Sequence, residues 1–349
     1  MSTSPVFLLL SERSGSNLLR SLLSNHSALS GPVSPQFFYY FDELLYLFGD
    51  FGDKANIIKL MKDMIGLANL RLFNWNMDAS SDKLYTLYEP VTFIDCVDLL
   101  YKEKAKMEGK PNYVCKENDL FFYAPYFMKK YSTAKYIYLY RDPRDYVASI
   151  IKPPEFCMTT YDAVLKWNKE QNQCSKLKNN YGFNAVSISY ENLVSKTEET
   201  ISNVLDFLGL PIEDACFSTD EKKNKELSWN LMWSNLRKPV LKSNFGKFRS
   251  ELNGQQIAMI ETLSIFNMNR LGYQPISKCK WIPDKKFKVR NKLEKKRLRK
   301  ANKAARNERY VERSDYIALL KNRLLSEIDP VPFSMTSDVR AKKNQIMRT

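Results

Sequence analysis

One arrangement of apolar and polar residues recurs along the chain: a short apolar run, a polar turn, and then apolar residues at helical spacing. The clearest case begins with five apolar residues at Val6–Leu10, which the polar turn Ser11–Ser16 follows. Leu18, Leu19 and Leu22 then recur three and four positions apart, as on one face of an amphipathic helix. The pattern predicts a buried strand, a tight turn and a helix at the N-terminus.

The same alternation continues downstream. Strands are predicted at 112–116, 135–140 and 185–189, and helices at 120–131, 143–151, 160–180, 197–208 and 255–271. Between the first helix and the second strand, 37–110 is predicted to be mostly helical. Strands that alternate with helices predict an α/β fold with a doubly wound, largely parallel sheet.

The first turn carries residues suited to an anion, namely Arg13, Ser14, Gly15, Ser16 and Asn17. Free N–H groups and the positive end of the dipole meet at a helix N-terminus, and a cation and hydroxyls add further donors. A nucleotide-hydrolysing P-loop has a second glycine followed by a lysine and a hydroxyl residue, and this turn lacks them. The turn therefore predicts a phosphate site of another kind, although an ordinary capped helix remains an alternative.

A second strand–turn–helix carries a comparable set of residues. The strand Tyr136–Tyr140 is followed by Arg141, and Asp142 and Pro143 are typical of a helix N-cap and first position. Ser149 lies seven positions after Asp142, so it is two turns along on nearly the same face. Arg141 and Ser149 are therefore predicted to converge on one anion.

Together the two segments resemble the sulfotransferase family, and the resemblance implies that the N-terminal strand–turn–helix is P-loop-like. The resemblance runs from Pro5 to about Tyr273. It implies that Arg13–Asn17 hold the 5′-phosphosulfate of 3′-phosphoadenylyl sulfate (PAPS) and that Arg141 and Ser149 hold its 3′-phosphate. Three further segments fit the family. Tyr113–Asn118 resembles the strand that ends in a catalytic lysine. Phe183–Leu193 resembles the strand whose tyrosine, here Tyr190, lies beside the adenine. Lys238–Phe248, which contains Lys247, resembles the loop that closes over the phosphates.

The resemblance implies catalysis by Arg13 and Lys116, which would stabilise negative charge during transfer, but it leaves the general base open. Where related enzymes have a histidine two residues after the lysine, this chain has Asn118. The segment 27–36, where other members carry a glutamate, contains no acidic residue. Glu117 and Glu89 are the candidate bases, and His26 is predicted to be structural.

Composition adds limits to this interpretation. The 349 residues, 44% of them hydrophobic, suffice for one large core with an appendage. No apolar run approaches the ~20 residues of a membrane span, and we expect a cytoplasmic protein. The six cysteines show no close pairing and are expected to be reduced. No metal is predicted, because the single histidine and the scattered cysteines lack ligand spacing.

Positive charge is concentrated near the C-terminus. Residues 280–313 contain fifteen Lys and Arg against four Asp and Glu, in a chain with a net charge of +15. The predicted domains are a sulfotransferase domain over 1–278, with 37–110 as an insertion on the acceptor side, and a basic extension over 279–349 that is helical or disordered. Residues 280–313 could contact a polyanion. A short amphipathic helix that could pack back on the body is predicted from Tyr316, Ile317, Leu320 and Leu324.

The predicted function is transfer of a sulfonate from PAPS to a hydroxyl acceptor, which could be a carbohydrate, a phenol, a lipid or a peptide. Two alternatives stay open. One is a nucleotide-dependent phosphoryl-transfer enzyme on a P-loop-like fold, and the other is a nucleic-acid-binding protein that acts through its basic tail. Neither alternative explains why Arg141 and Ser149 occur together with the Arg13–Asn17 turn.

Overall fold

The computed structural model describes residues 5–153, 156–180, 184–219, 240–304 and 308–327. These residues form two compact units, one containing 5–27 and 119–304 and the other containing 28–118 and 308–327. We call them the turn unit and the insertion unit. Both combine helices with parallel strands, so the predicted α/β fold with a parallel sheet is confirmed.

The turn unit contains three parallel strands, in the order β1, β4, β5. The strands are β1 (Val6–Leu10), β4 (Lys135–Tyr140) and β5 (Ala185–Ser189). Leu8 of β1 is opposite Ile137 of β4, which in turn is opposite Val186 of β5. Every residue of β1 is buried, as expected of a central parallel strand. The carboxyl ends of the three strands therefore lie at one edge, where the turns that follow them meet.

The helices of the turn unit follow the strands in the predicted alternation. They are α1 (Ser16–Ser24), α6 (Leu120–Lys130), α7 (Pro143–Ile150), α8 (Thr160–Asn180), α9 (Tyr190–Ser195), α10 (Thr197–Leu208), α11 (Phe248–Glu251), α12 (Gly254–Arg270) and α13 (Phe287–Ala304). Tyr146 of α7 and Trp167 of α8 are fully buried in one apolar cluster with Phe248 and Ile260. This cluster fixes α7, whose first turn carries the second predicted anion motif.

The insertion unit is mostly helical, as predicted for 37–110. Its strands β2 (Leu29–Ser30) and β3 (Asn112–Cys115) pair in parallel. Its helices are α2 (Phe37–Phe41), a 3-10 helix (Asp42–Phe48), α3 (Lys54–Ala68), α4 (Ser81–Tyr88), α5 (Phe93–Met107) and α14 (Glu308–Ser326). Sequence patterns did not predict β2, because two residues are too few to show a strand period.

The C-terminal helix α14 packs within the insertion unit through its apolar face, as predicted. Leu320 and Leu324 are buried, and the Tyr316 hydroxyl donates a hydrogen bond of 2.7 Å to the Asp63 backbone oxygen. The Asp63 carboxylate also pairs with Arg323. The predicted boundary near residue 278 remains a prediction, and residues 328–349 of the predicted extension lie outside the described residues.

Candidate functional site

The first predicted anion turn has the geometry of a helix N-terminus that accepts a ligand. Gly15 adopts φ +87° and Arg13 adopts φ +64°, so the backbone turns sharply before α1. The Arg13 conformation is unusual for a residue with a side chain, and such strain is concentrated at functional sites. No described side chain caps the N-terminus of the nine-residue helix α1. Its first N–H groups are therefore available to an anion.

Tyr190 packs directly against the turn. A Cβ atom added to Gly15 would lie 2.3 Å from Tyr190 Cδ2, and together with the positive φ this contact admits only glycine. The Arg141 guanidinium lies over the Tyr190 ring, 4.3 Å from its centroid. The first turn, the end of β4 and the start of α9 are thus held together by one aromatic ring.

Arg13, Arg141 and Ser149 form a connected group. Arg141 Nη1 donates a hydrogen bond of 2.8 Å to the Arg13 backbone oxygen. Arg13 Nε donates in turn to Ser149 Oγ at 3.2 Å. The structure therefore brings the first motif together with both anion-binding residues predicted from the second. Two guanidinium groups beside an uncapped helix end create a positive potential that suits phosphate groups.

Two buried polar atoms, one in the first turn and one in Arg141, lack hydrogen-bond partners in the part of the chain that the structure describes. Ser14 Oγ and Arg141 Nε are both buried, and neither has a hydrogen-bond partner among the described residues. Buried polar atoms are nearly always hydrogen-bonded in folded proteins, so a bound ligand is one explanation for each of these two atoms. A ligand with two phosphate positions could accept a hydrogen bond from each atom. The residues present therefore fit a phosphate-bearing group.

The first turn of α7 is fixed by a buried ionic network. Asp142 caps the helix by accepting a hydrogen bond from Arg144 N, and Pro143 occupies the first position, as predicted. The Arg144 guanidinium donates to Asp142 and, at 2.6 Å, to Glu261 of α12. Arg144 therefore has a structural role. Arg141 is the arginine of this motif that lies over the Tyr190 ring.

Asp145 anchors the late loop to α7, a role that its place in the sequence did not reveal. Its carboxylate accepts hydrogen bonds from Gly246 N at 2.5 Å and from Phe248 N at 2.9 Å. Asn244 of the same loop donates to the Tyr190 hydroxyl at 2.6 Å. The loop therefore lies against the Tyr190 region. The Lys247 side chain is exposed, and Lys238 and Pro239 of the predicted loop lie outside the described residues.

Lys116, Glu117 and Asn118 follow β3 in the insertion unit, and all three side chains are buried. Lys116 Nζ donates to Asn118 Oδ1 at 3.0 Å, so the residue that replaces the family's histidine contacts the predicted catalytic lysine. The Glu117 carboxylate accepts a hydrogen bond of 2.8 Å from the Tyr101 hydroxyl. Burial raises the pKa of Glu117 to about 7, although Tyr101 and Lys116 act in the opposite direction.

The second candidate base is Glu89, and the residue predicted to be structural is His26. Glu89 is exposed at the C-terminal end of α4, where its backbone adopts φ +45°. His26 is buried in the turn unit, with Nε2 2.9 Å from the Pro211 backbone oxygen and 3.5 Å from a Glu213 carboxylate oxygen. These contacts fit the predicted structural role of His26.

None of the described helices is both long enough and apolar enough to cross a bilayer.

Comparisons with known proteins bear on the family and the fold of the chain. A family model described as "Sulfotransferase family" matches residues 5–214. Two solved structures are similar in fold, each at 18% sequence identity over 78% of this chain. One, the sulfotransferase domain from the curacin biosynthetic pathway, matches with a TM-score of 0.51 over 99% of its length. The other, the sulfotransferase domain from the Synechococcus PCC 7002 olefin synthase, matches with a TM-score of 0.52 over 96%. No curated protein matches the sequence.

Proposed function

The chain belongs to the sulfotransferase family, and we propose that it transfers a sulfonate group from PAPS to a hydroxyl acceptor. The observation that carries the choice of donor is the pair of unpartnered buried atoms, Ser14 Oγ and Arg141 Nε, beside an uncapped helix end. Two hydrogen-bonding atoms on separate motifs are suited to a nucleotide that carries more than one phosphate position.

The proposal assigns the donor contacts residue by residue. Residues Arg13–Asn17 would bind the 5′-phosphosulfate through side chains and the N–H groups of α1. Arg141 and Ser149 would bind the 3′-phosphate. Tyr190 would lie beside the adenine, and Lys247 would approach the phosphates from the late loop, whose anchor at Asp145 keeps it beside Tyr190. The cosubstrate, when bound, supplies an activated sulfonate and a nucleotide phosphate as its leaving group.

Catalysis is proposed to rest on charge stabilisation and one proton transfer. Arg13 and Lys116 would stabilise the negative charge that develops at the transferring group. Such stabilisation by preorganised charges is usually the largest single contribution to catalysis. Glu117 would accept the proton of the acceptor hydroxyl. Its pKa of about 7 supports this role, because a general base acts best when its pKa lies near the working pH.

The proposed acceptor is any molecule that presents a hydroxyl group. A carbohydrate, a phenol, a lipid or a peptide hydroxyl each fits the proposed chemistry, and an acceptor pocket formed by 37–110 remains part of the proposal. The two structural neighbours are sulfotransferase domains of biosynthetic systems, but their 18% identity shows a shared fold alone.

The test is incubation of the protein with sulfur-labelled PAPS and a panel of glycan, phenol, lipid and peptide acceptors. We expect labelled product from one acceptor class, together with release of 3′,5′-adenosine bisphosphate in equal amount. Parallel reactions contain ATP and Mg²⁺ in place of PAPS. Phosphorylated product there, without sulfated product, would replace this proposal with the phosphoryl-transfer alternative.

A further inference from the structure

The basic helix α13 is attached to the turn unit along one edge. The Phe287 ring packs on Tyr161 and Trp281, with ring centroids 5.1 and 4.9 Å apart. Two turns further on, Lys295 forms an ion pair of 3.0 Å with Asp162 of α8. Residues 287 and 295 are eight positions apart and share one helix face, so these contacts define the inner face of α13.

The outer face combines positive charge with exposed apolar side chains. Residues 285–300 contain ten Lys and Arg against one Glu, and nine of the ten basic side chains are exposed. Val289 and Leu293 are 60% and 59% exposed and lie four residues apart on one face. Lys296 and Lys300 follow Leu293 by three and seven positions, so they lie on that same face. Ile282, just before the helix, is 82% exposed.

We infer that this outer face of α13 binds the surface of an anionic lipid bilayer. Lys and Arg side chains are attracted to acidic headgroups, and apolar side chains between them insert at the boundary between headgroups and acyl chains. A nucleic-acid surface would use the same cations but would leave Val289 and Leu293 against polar phosphates. Charge complementarity together with the two apolar residues favours the bilayer.

The first test is flotation of the full chain with vesicles of phosphatidylcholine alone or with about a third of phosphatidylserine. We expect the protein to float only with the anionic vesicles and to be released by high salt. The double variant Lys296→Glu and Lys300→Glu should lower partitioning by about thirtyfold or more, because each basic residue near the surface contributes about a factor of five. The matched control, Lys129→Glu and Lys176→Glu, makes the same charge change at exposed positions of α6 and α8 and should bind like the unchanged protein.

The second test separates insertion from charge. Val289→Asn with Leu293→Asn keeps every charge of α13, and we expect it to lower anionic-vesicle partitioning by about tenfold. Equal binding by this variant, or equal loss in the control, would overturn the inference. Binding to a homopolymeric RNA that the lysine variant abolishes, without binding to any vesicle, would overturn it in favour of a nucleic-acid surface.

Discussion

The turn around Arg13 and the strand end at Lys116 differ in which polar groups they contain: the turn gathers hydrogen-bond donors, whereas the strand end buries a lysine together with a carboxyl group. The turn gathers donors from separate elements and leaves Ser14 Oγ and Arg141 Nε without partners among the described residues. At the strand end, Lys116 donates to Asn118 and Glu117 accepts from Tyr101. The turn has the features of a site that receives an anion, whereas the strand end contains a buried lysine and a carboxyl group whose pKa is raised by burial to about 7. Substitutions of Ser14 and Arg141 should therefore change nucleotide affinity, and those of Lys116 and Glu117 should change turnover.

The largest expected effect is on turnover in Glu117→Gln. Loss of a general base typically lowers kcat by about a hundred- to ten-thousandfold, and we expect nucleotide affinity to be nearly unchanged. In the unchanged protein, kcat should rise with pH through about 7, because the carboxyl must lose its proton to act as a base.

Glu170→Gln is the matched control for this prediction. Glu170 is also buried, and burial raises its pKa to about 7, but its carboxylate pairs with Lys166 on α8. This variant should keep most of its turnover. Full activity in Glu117→Gln would show that Glu117 is not the general base. Loss of activity in Glu89→Gln alone would assign proton transfer to Glu89.

Lys116→Ala should have the next largest effect. Removing one preorganised contact to developing charge typically lowers kcat by about a hundred- to a thousandfold. Affinity for 3′,5′-adenosine bisphosphate should change far less, since the contact acts mainly in the transition state. The measurement is kcat beside calorimetric affinity. A loss of affinity as large as the loss of kcat would place Lys116 among the nucleotide-binding residues instead.

A smaller effect, of several-fold, is expected at the late loop. Trypsin cleavage at the exposed Lys242 and Lys247 should slow when the bisphosphate is added, because a closed loop resists local unfolding. AMP is the control nucleotide, since it lacks the 3′-phosphate. Cleavage that is unchanged at saturating bisphosphate would identify 242–247 as a surface turn.

The smallest expected effect concerns stability. The pKa of Glu117 lies above its ordinary value, so its contribution to stability is fully present below pH 4.5 and is lost as pH rises through about 7. Glu117→Gln cannot ionise, so at pH 8 its free energy of unfolding should exceed that of the unchanged protein by on the order of 1–3 kcal/mol. Urea titrations at pH 5 and pH 8 measure the difference, which should shrink at pH 5. A variant that is less stable at both pH values would contradict the ionisation argument.

Local chemistry explains why the two helix starts were predictable from the sequence. Asp142 and Pro143 specify the N-terminus of α7, and Gly15 specifies the positive φ before α1. Contacts between distant segments were not predictable in this way. Asp145 is an acidic residue in the first turn of α7, and only the fold brings the N–H groups of Gly246 and Phe248 to it.

The most direct test of the central claim is a calorimetric titration with 3′,5′-adenosine bisphosphate and with AMP. The account predicts tighter binding of the bisphosphate, because Arg141 and Ser149 would engage only a 3′-phosphate. It also predicts that Arg141→Ala weakens bisphosphate binding by about ten- to a hundredfold and leaves AMP binding nearly unchanged, as expected for one charge-assisted contact. Equal affinity of the unchanged protein for the two nucleotides would contradict the claim.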